Sequence, residues 1–189
     1  MPSMAISFAR RGAALASALA LVLSASAQAR PVVSAEAAAY AQPPASDAER
    51  VLAIHNSERA RLGLPPLRWN PVLARDAGQW ARELAVRGVA QHSAAASRSG
   101  HGENLWMGTA GTWNTQDMLE MFLDERRYFR AAAFPYVSLT GDWTDVGHYS
   151  QIVWRDTREI GCAVDTGKGM DVLVCRYFPA GNVMGQSPF

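Results

Sequence analysis

Four histidines occur in this 189-residue chain, and three of them lie beside small residues that leave room for a ligand. They are His92-Ser93, Gly100-His101-Gly102-Glu103 and Gly147-His148-Tyr149. Imidazole nitrogen together with carboxylate oxygen is a donor set that zinc and related cations favour. The same combination performs general acid–base catalysis when the carboxylate tunes the imidazole. The chain carries no His-Glu-x-x-His helix, no glycine-bounded nucleophilic serine and no phosphate-cradling loop. Spacing alone therefore leaves a His/Glu cluster open to both chemistries. The fourth histidine, His55, shares a helical face with Leu52, Arg59 and Leu62 and reads as a hydrogen-bonded packing residue.

Three helices are predicted to position these groups. Ser46-Asp47-Ala48-Glu49 is a capping box that opens a helix running to about Leu62, where Gly63 and Pro65-Pro66 stop it. Asn70-Pro71 starts a second helix, with Leu73, Ala77, Trp80, Ala81 and Leu84 as its buried stripe and Gly88 as its end. Residues 89–113 read as irregular. A third helix begins at Asn114 or Thr115 and reaches about Phe129. Its spacing separates two neighbouring carboxylates. Glu125 falls on the face of Met118, Met121, Phe122 and Phe129, whereas Asp124 joins Asp117, Glu120 and Arg127 on the polar side. Glu125 is thereby singled out as an inward-pointing acid. A long loop, about 130–146, follows; loops of this length inside a compact domain are often functional.

Ile160–Asp165 and Asp171–Phe178 alternate at period two around a glycine-rich tip and predict a hairpin. Symmetric pairing about that tip sets Cys162 opposite Cys175. Both hairpin faces are largely apolar, so both must be covered. Three helices and one such sheet predict an α+β fold, a three-layer α-β-α sandwich with a central, mainly antiparallel sheet.

The first residues set the compartment. Arg10 and Arg11 precede the apolar stretch Gly12–Ala25, and Ala27-Gln28-Ala29 offers the small-x-small pattern of a cleavage site. Residues 1–29 therefore read as a signal peptide, 30–46 as a flexible lead-in, and 47–189 as the domain. The apolar run is shorter than the ~20 residues a spanning helix takes, so no transmembrane anchor is expected after cleavage. The expected location is secreted or periplasmic. There an even pair of cysteines most simply forms a disulfide, with a catalytic thiol or a two-cysteine metal site as the alternatives. Removing 1–29 turns 18 basic residues against 17 acidic into 16 against 17. That balance gives no electrostatic footprint for nucleic acid.

Four stretches resemble one known family. Gly147-His148-Tyr149-Ser150-Gln151-Ile152-Val153-Trp154 and Val172–Val183 are similar to the two signatures of the CAP superfamily, which includes cysteine-rich secretory proteins, venom antigens and plant pathogenesis-related proteins, and, in bacteria, SCP-like extracellular domains. His55-Asn56-x-x-Arg59 and Gly102-Glu103-Asn104-Leu105 match two further family motifs in the expected order. The resemblance spans about Asp47 to Phe189 and implies an α-β-α sandwich. It also implies a cavity with the tetrad His92, Glu103, Glu125 and His148, in which His92 and His148 hold zinc or another divalent cation. Three departures stand out: His101 where plant members commonly carry tyrosine, which offers a further ligand or a hydrogen bond; Phe122 in place of a tryptophan; and no cysteines beyond Cys162 and Cys175. The resemblance supports three readings. The first is an exported protein that binds a lipid, a sterol or a protein partner. The second is a metal-dependent hydrolase or peptidase with Glu103 or Glu125 as base, and the third a purely structural polar network.

Overall fold

The computed structural model describes residues 46–189, so the signal-peptide segment and all of the lead-in but Ser46 lie outside the described residues. Helix α1 spans Asp47–Arg61 and opens on the predicted capping box, in which the Ser46 side chain accepts from the Glu49 amide and the Glu49 carboxylate accepts from the Ser46 amide at 2.7 Å. Helix α2 spans Pro71–Arg87. The Asn70 side chain accepts from the amides of Val72 and Leu73, and Gly88 ends the helix at φ 69°. Helix α3 covers Thr115–Asp124, after which the chain tightens into a 3-10 turn over Glu125–Tyr128. The expected helix to Phe129 is thus shorter. Its last turn changes hydrogen-bond pattern, a common way for a helix to end.

Two elements depart from the sequence reading. Strand β2 occupies Gly102–Thr109, inside the stretch expected to be irregular. Its two faces mix polar with apolar residues, Glu103 with Leu105 and Met107 on one, Asn104 with Trp106 on the other, so no clean alternation marks it. Helix α4, Gly147–Ile152, is six residues long and lies within the first family signature. The loop before it carries a 3-10 turn over Trp143–Val146.

Strands β1 (Arg68–Trp69), β3 (Glu159–Gly167) and β4 (Met170–Phe178) complete one sheet of order β1-β3-β4-β2. The β3–β4 and β2–β4 pairings are antiparallel, and only the short β1–β3 pairing is parallel. Ile160, Cys162, Leu173, Cys175 and Tyr177 line one sheet face and pack with Val51 of α1, Met118, Leu119 and Phe122 of α3, and Ile152 of α4. Val172 and Val174 line the other and pack with Ala77, Ala81, Leu84 and Ala85 of α2. These are the three predicted layers, and full burial of such apolar side chains contributes about 1.5–3 kcal/mol for each larger one. At Gly161 a Cβ would come within 2.2 Å of the Ala74 amide nitrogen, so glycine lets α2 lie directly on β3.

Cys162 pairs opposite Cys175 and is bridged to it. The sulfurs sit in the core between the sheet and α1/α3. Nearby, a buried polar chain crosses the same layer. His55 Nδ1–H donates to the Val51 carbonyl at 2.8 Å, which leaves Nε2 to accept from the Tyr177 hydroxyl at 3.0 Å. The Tyr177 oxygen in turn accepts from Asn104 Nδ2 at 3.2 Å. Burial, aided by the Arg59 charge, lowers the His55 pKa to about 4. His55 is the packing histidine its helical face predicted.

Two measurements follow. Cys175→Ser, or reduction of the native protein, is expected to remove about 3 kcal/mol, because the bridge closes a short loop. The melting temperature should then fall by several degrees, at roughly 2–4 °C per kcal/mol; equal melting curves before and after reduction would show that the bridge adds nothing. His55 is neutral in the fold but titrates near 6.5 in the unfolded chain. Its contribution is therefore constant above pH 6.5 and is lost as pH falls from 6.5 towards 4, by roughly 2–3 kcal/mol. Denaturant titrations at pH 7 and pH 4.5 should show this loss in the wild type and a clearly smaller one in His55→Gln. Parallel pH dependence in the two would contradict a buried neutral imidazole.

Candidate functional site

Strand β2 is the edge of the sheet, and the site is built around its first residues. Successive side chains there point to opposite layers. Glu103, opposite Arg176, faces the α2 side, and Asn104, opposite Cys175, faces the α4 side. Two carboxylate–imidazole pairs form, one from each layer.

In the first pair, His92 Nδ1 lies 2.5 Å from Glu103 Oε1. Glu103 is 0% exposed and His92 54% exposed in their side chains. Glu103 also accepts from the Ser93 amide at 3.1 Å, the Ser93 hydroxyl at 2.8 Å and Arg176 Nη1 at 2.8 Å. Burial by itself raises the Glu103 pKa, but the hydrogen bonds from His92 and Ser93 and the Arg176 charge outweigh it and hold the carboxyl below its ordinary range. It is an anion whose oxygens are occupied.

In the second pair, His148 Nδ1 lies 2.5 Å from Glu125 Oε1. Glu125 Oε2 accepts from the backbone amides of His148 at 2.9 Å and Tyr149 at 3.0 Å. These are amides of the first turn of α4, whose own N-cap, Val146, supplies no side-chain bond. A carboxylate from the 3-10 turn that follows α3 thus caps another helix, where the orphan donors and the helix dipole favour negative charge. The inward Glu125 of the sequence reading is found here, and Asp124 is exposed. Phe122, one turn earlier, stacks on the His148 ring with centroids 4.4 Å apart and planes 21° apart. Asn104 Nδ2 donates to the His148 carbonyl at 3.1 Å. Ring, backbone and carboxylate are all held.

His92, Glu103 and His148 border a common cavity of about 550 Å³, together with His101 and Trp143, while Glu125 stands behind His148. Gly102 borders it too: a Cβ there would fall 2.0 Å from Gln151 Oε1, so glycine lets that amide lie against β2. His101 packs edge-on against Phe178 at 5.5 Å, and burial, with Arg176 beside it, lowers its pKa. It borders the cavity without joining either pair.

Both histidines engage their carboxylates through Nδ1, and among the described residues neither Nε2 has a hydrogen-bond partner. A histidine that donates Nδ1–H to a carboxylate presents a basic Nε2, the arrangement found behind metal-bound imidazoles. Among the described residues no group of three or more His, Cys, Asp and Glu is arranged to hold a metal ion. Two imidazoles with uncommitted Nε2 atoms therefore border the cavity, and both glutamates are engaged in orienting them. Sequence reasoning did not single out Ser93, Arg176 or Asn104. Their roles depend on β2 standing next to β4, and β2 carries no sequence signal of its own.

The cysteine-rich secretory protein family model matches residues 52–177. Pathogenesis-related protein 1B of Nicotiana tabacum is 35% identical over 136 residues, covering 71% of this chain and 76% of that protein. Golgi-associated plant pathogenesis-related protein 1 of Homo sapiens is 32% identical over 140 residues, covering 74% and 86%. The secreted protein RBT4 of Candida albicans is 32% identical over 144 residues, covering 75% of this chain and 37% of that protein. Among solved structures, that of NaASP2 with Zn2+ superposes with a TM-score of 0.63 at 24% identity, over 76% of this chain and 86% of that one. Fold, motifs and relatives agree: the chain belongs to the cysteine-rich secretory protein family.

Proposed function

We propose that this chain is an exported binding protein whose cavity holds a divalent cation, zinc first, between the Nε2 atoms of His92 and His148. One observation carries the reading: two imidazoles bordering one cavity are each fixed through Nδ1 by a carboxylate, with Nε2 left over. The cation would act as a Lewis acid that attracts an oxygen of the ligand. A sterol or fatty acid suits the remaining space, its oxygen at the cation and its apolar body against Phe134 and Trp143, which pack at 5.1 Å. A protein partner offering a carboxylate would meet the same groups. Export rests on the leader at residues 1–29 and on a relative named as secreted.

The hydrolase reading asks one glutamate to act as a base or as a third ligand. Glu103 spends its oxygens on His92, Ser93 and Arg176, and Glu125, which accepts from His148 and two backbone amides, stands behind His148 and does not line the cavity. A general base needs a free lone pair within reach of the proton it takes. The arrangement supports holding a ligand over turning one over.

Native mass spectrometry of the exported protein, dialysed against Zn2+, tests the proposal. One bound zinc is expected in the wild type and none in His92→Ala/His148→Ala. Glu103→Gln and Glu125→Gln should keep the site but weaken zinc roughly 10–100-fold, as loss of a carboxylate behind a metal-binding imidazole does. Zinc retained by the double variant, or apoprotein throughout, would overturn the assignment.

A further inference from the structure

On the other side of the wall formed by His92, Ser93 and Arg98 lies a second cavity of about 650 Å³, between α2 and the segment 91–101. Arg176 borders it and is only 6% exposed. The guanidinium uses Nη1 alone, for Ser93 Oγ at 2.9 Å and Glu103 at 2.8 Å. Among the described residues Nε and Nη2 make no hydrogen bond. None of the fully buried side-chain nitrogens and oxygens described lacks a partner. These two nitrogens therefore meet solvent, which reaches Arg176 through this cavity.

A second guanidinium, Arg98, borders the same space and has no partner closer than 3.5 Å, the distance from its Nη1 to Glu103. Two arginines thus share one buried carboxylate. The far wall carries Asp76 and Glu83, each paired with an outward arginine: Arg75 at 3.1 Å and Arg87 at 3.2 Å. Glu103 offsets one of the two guanidinium charges, and Asp76, which is shared with Arg75, also acts on Arg176. The excess is therefore at most about one positive charge and suits a monoanion better than a dianion. A planar carboxylate matches the free edge of a guanidinium. The rest of the wall is polar, with Gln79 and Ser97, plus one aromatic, Trp80, whose Nε1 is fixed by the Gln91 carbonyl at 3.1 Å. Amides, hydroxyls and an indole are the groups that meet a sugar ring.

We propose that this second cavity is a binding site for a carboxylate-bearing saccharide of the uronic-acid class, with Arg176 and Arg98 as the carboxylate receptors. It does not require the cation, although both arginines contact Glu103, which orients His92, and the test is therefore run without metal.

The test is an amide NMR titration of the exported protein in EDTA, with glucuronate, glucose and inorganic phosphate as probes. Glucuronate is expected to shift the amides of residues 91–99 saturably, with glucose inert and phosphate weaker. Arg98→Gln should bind glucuronate roughly tenfold more weakly, the loss of one charge-assisted interaction. Arg176→Lys keeps the charge for Glu103 but removes the second edge, and should weaken binding similarly while its melting temperature reports that the fold persists. Glucose binding as well as glucuronate, phosphate binding more tightly, or Arg98→Gln titrating like the wild type would each overturn the proposal.

Discussion

A buried cation with no carboxylate paired to it among the described residues holds this fold together. The Arg59 guanidinium is 0% exposed, and backbone carbonyls satisfy it: Pro65 at 2.7 Å, Trp154 at 2.8 Å, Ile152 at 2.9 Å and Thr157 at 3.1 Å. Burial, with Arg158 nearby, lowers its pKa to about 10, so it stays charged at neutral pH. Removing a buried charge from water is costly unless every donor finds an acceptor. Conversely, those carbonyls would be stranded without it. The chain that leaves α4 and enters β3 therefore has one low-energy path, around a side chain that α1 provides. Two of these acceptors stand at the C-terminal end of α4, where a positive charge complements the helix dipole.

The other end of α4 is fixed by the opposite charge. Glu125 takes the amides of His148 and Tyr149. The flank is held by Glu58, 6% exposed, which accepts from the Tyr149 hydroxyl at 2.6 Å and from Arg61 at 2.7 Å and Arg126 at 3.0 Å. Burial pushes the Glu58 pKa up, and these donors more than reverse it. Six residues make a helix too short to be stable by its own hydrogen bonds. It exists because a cation at one end, an anion at the other and a carboxylate at the side hold it. His148 inherits its position from that clamp, which is why a histidine on so short a helix has a defined geometry.

Legibility in the sequence followed the locality of each determinant. Capping boxes, the Asn70-Pro71 start and the Gly88 stop act over a few residues, and α1 and α2 came out close to their predicted limits. The β3–β4 register was equally readable, because its tip and alternation are local and fix Cys162 against Cys175. Glu125 was found by helical spacing alone, although its hydrogen bonds lie in a 3-10 turn and reach across to α4. Strand β2 and helix α4 were missed as elements, since β2 owes its structure to β4 and α4 to Arg59 and Glu125. The identity of the tetrad came through family motifs. That Glu103 is also bound to Arg176 required the β2–β4 register.

The two family signatures behave as one physical unit in this chain. Gln151 of the first sits between two glycines, Gly102 and Gly181. At Gly181 a Cβ would lie 2.8 Å from Gln151 Nε2 and from Trp154 Cγ. Gln151 Oε1 accepts from the Gly181 amide at 2.8 Å, and its Nε2 donates to Thr157 at 3.1 Å. Next to it, Ser150 donates to Asn182 Oδ1 at 2.6 Å, and Asn182 Nδ2 donates to the Gly147 carbonyl at 2.8 Å. The stretch Pro179-Ala180-Gly181-Asn182 is the clasp that closes α4 against β4. Many polar side chains of the signatures are therefore occupied with one another, while His148 borders one cavity with a free Nε2 and Arg176 borders the other with free guanidinium nitrogens. Membership in the family thus accounts for the frame, while the chemistry of the cavity is set by the few side chains that the frame leaves uncommitted.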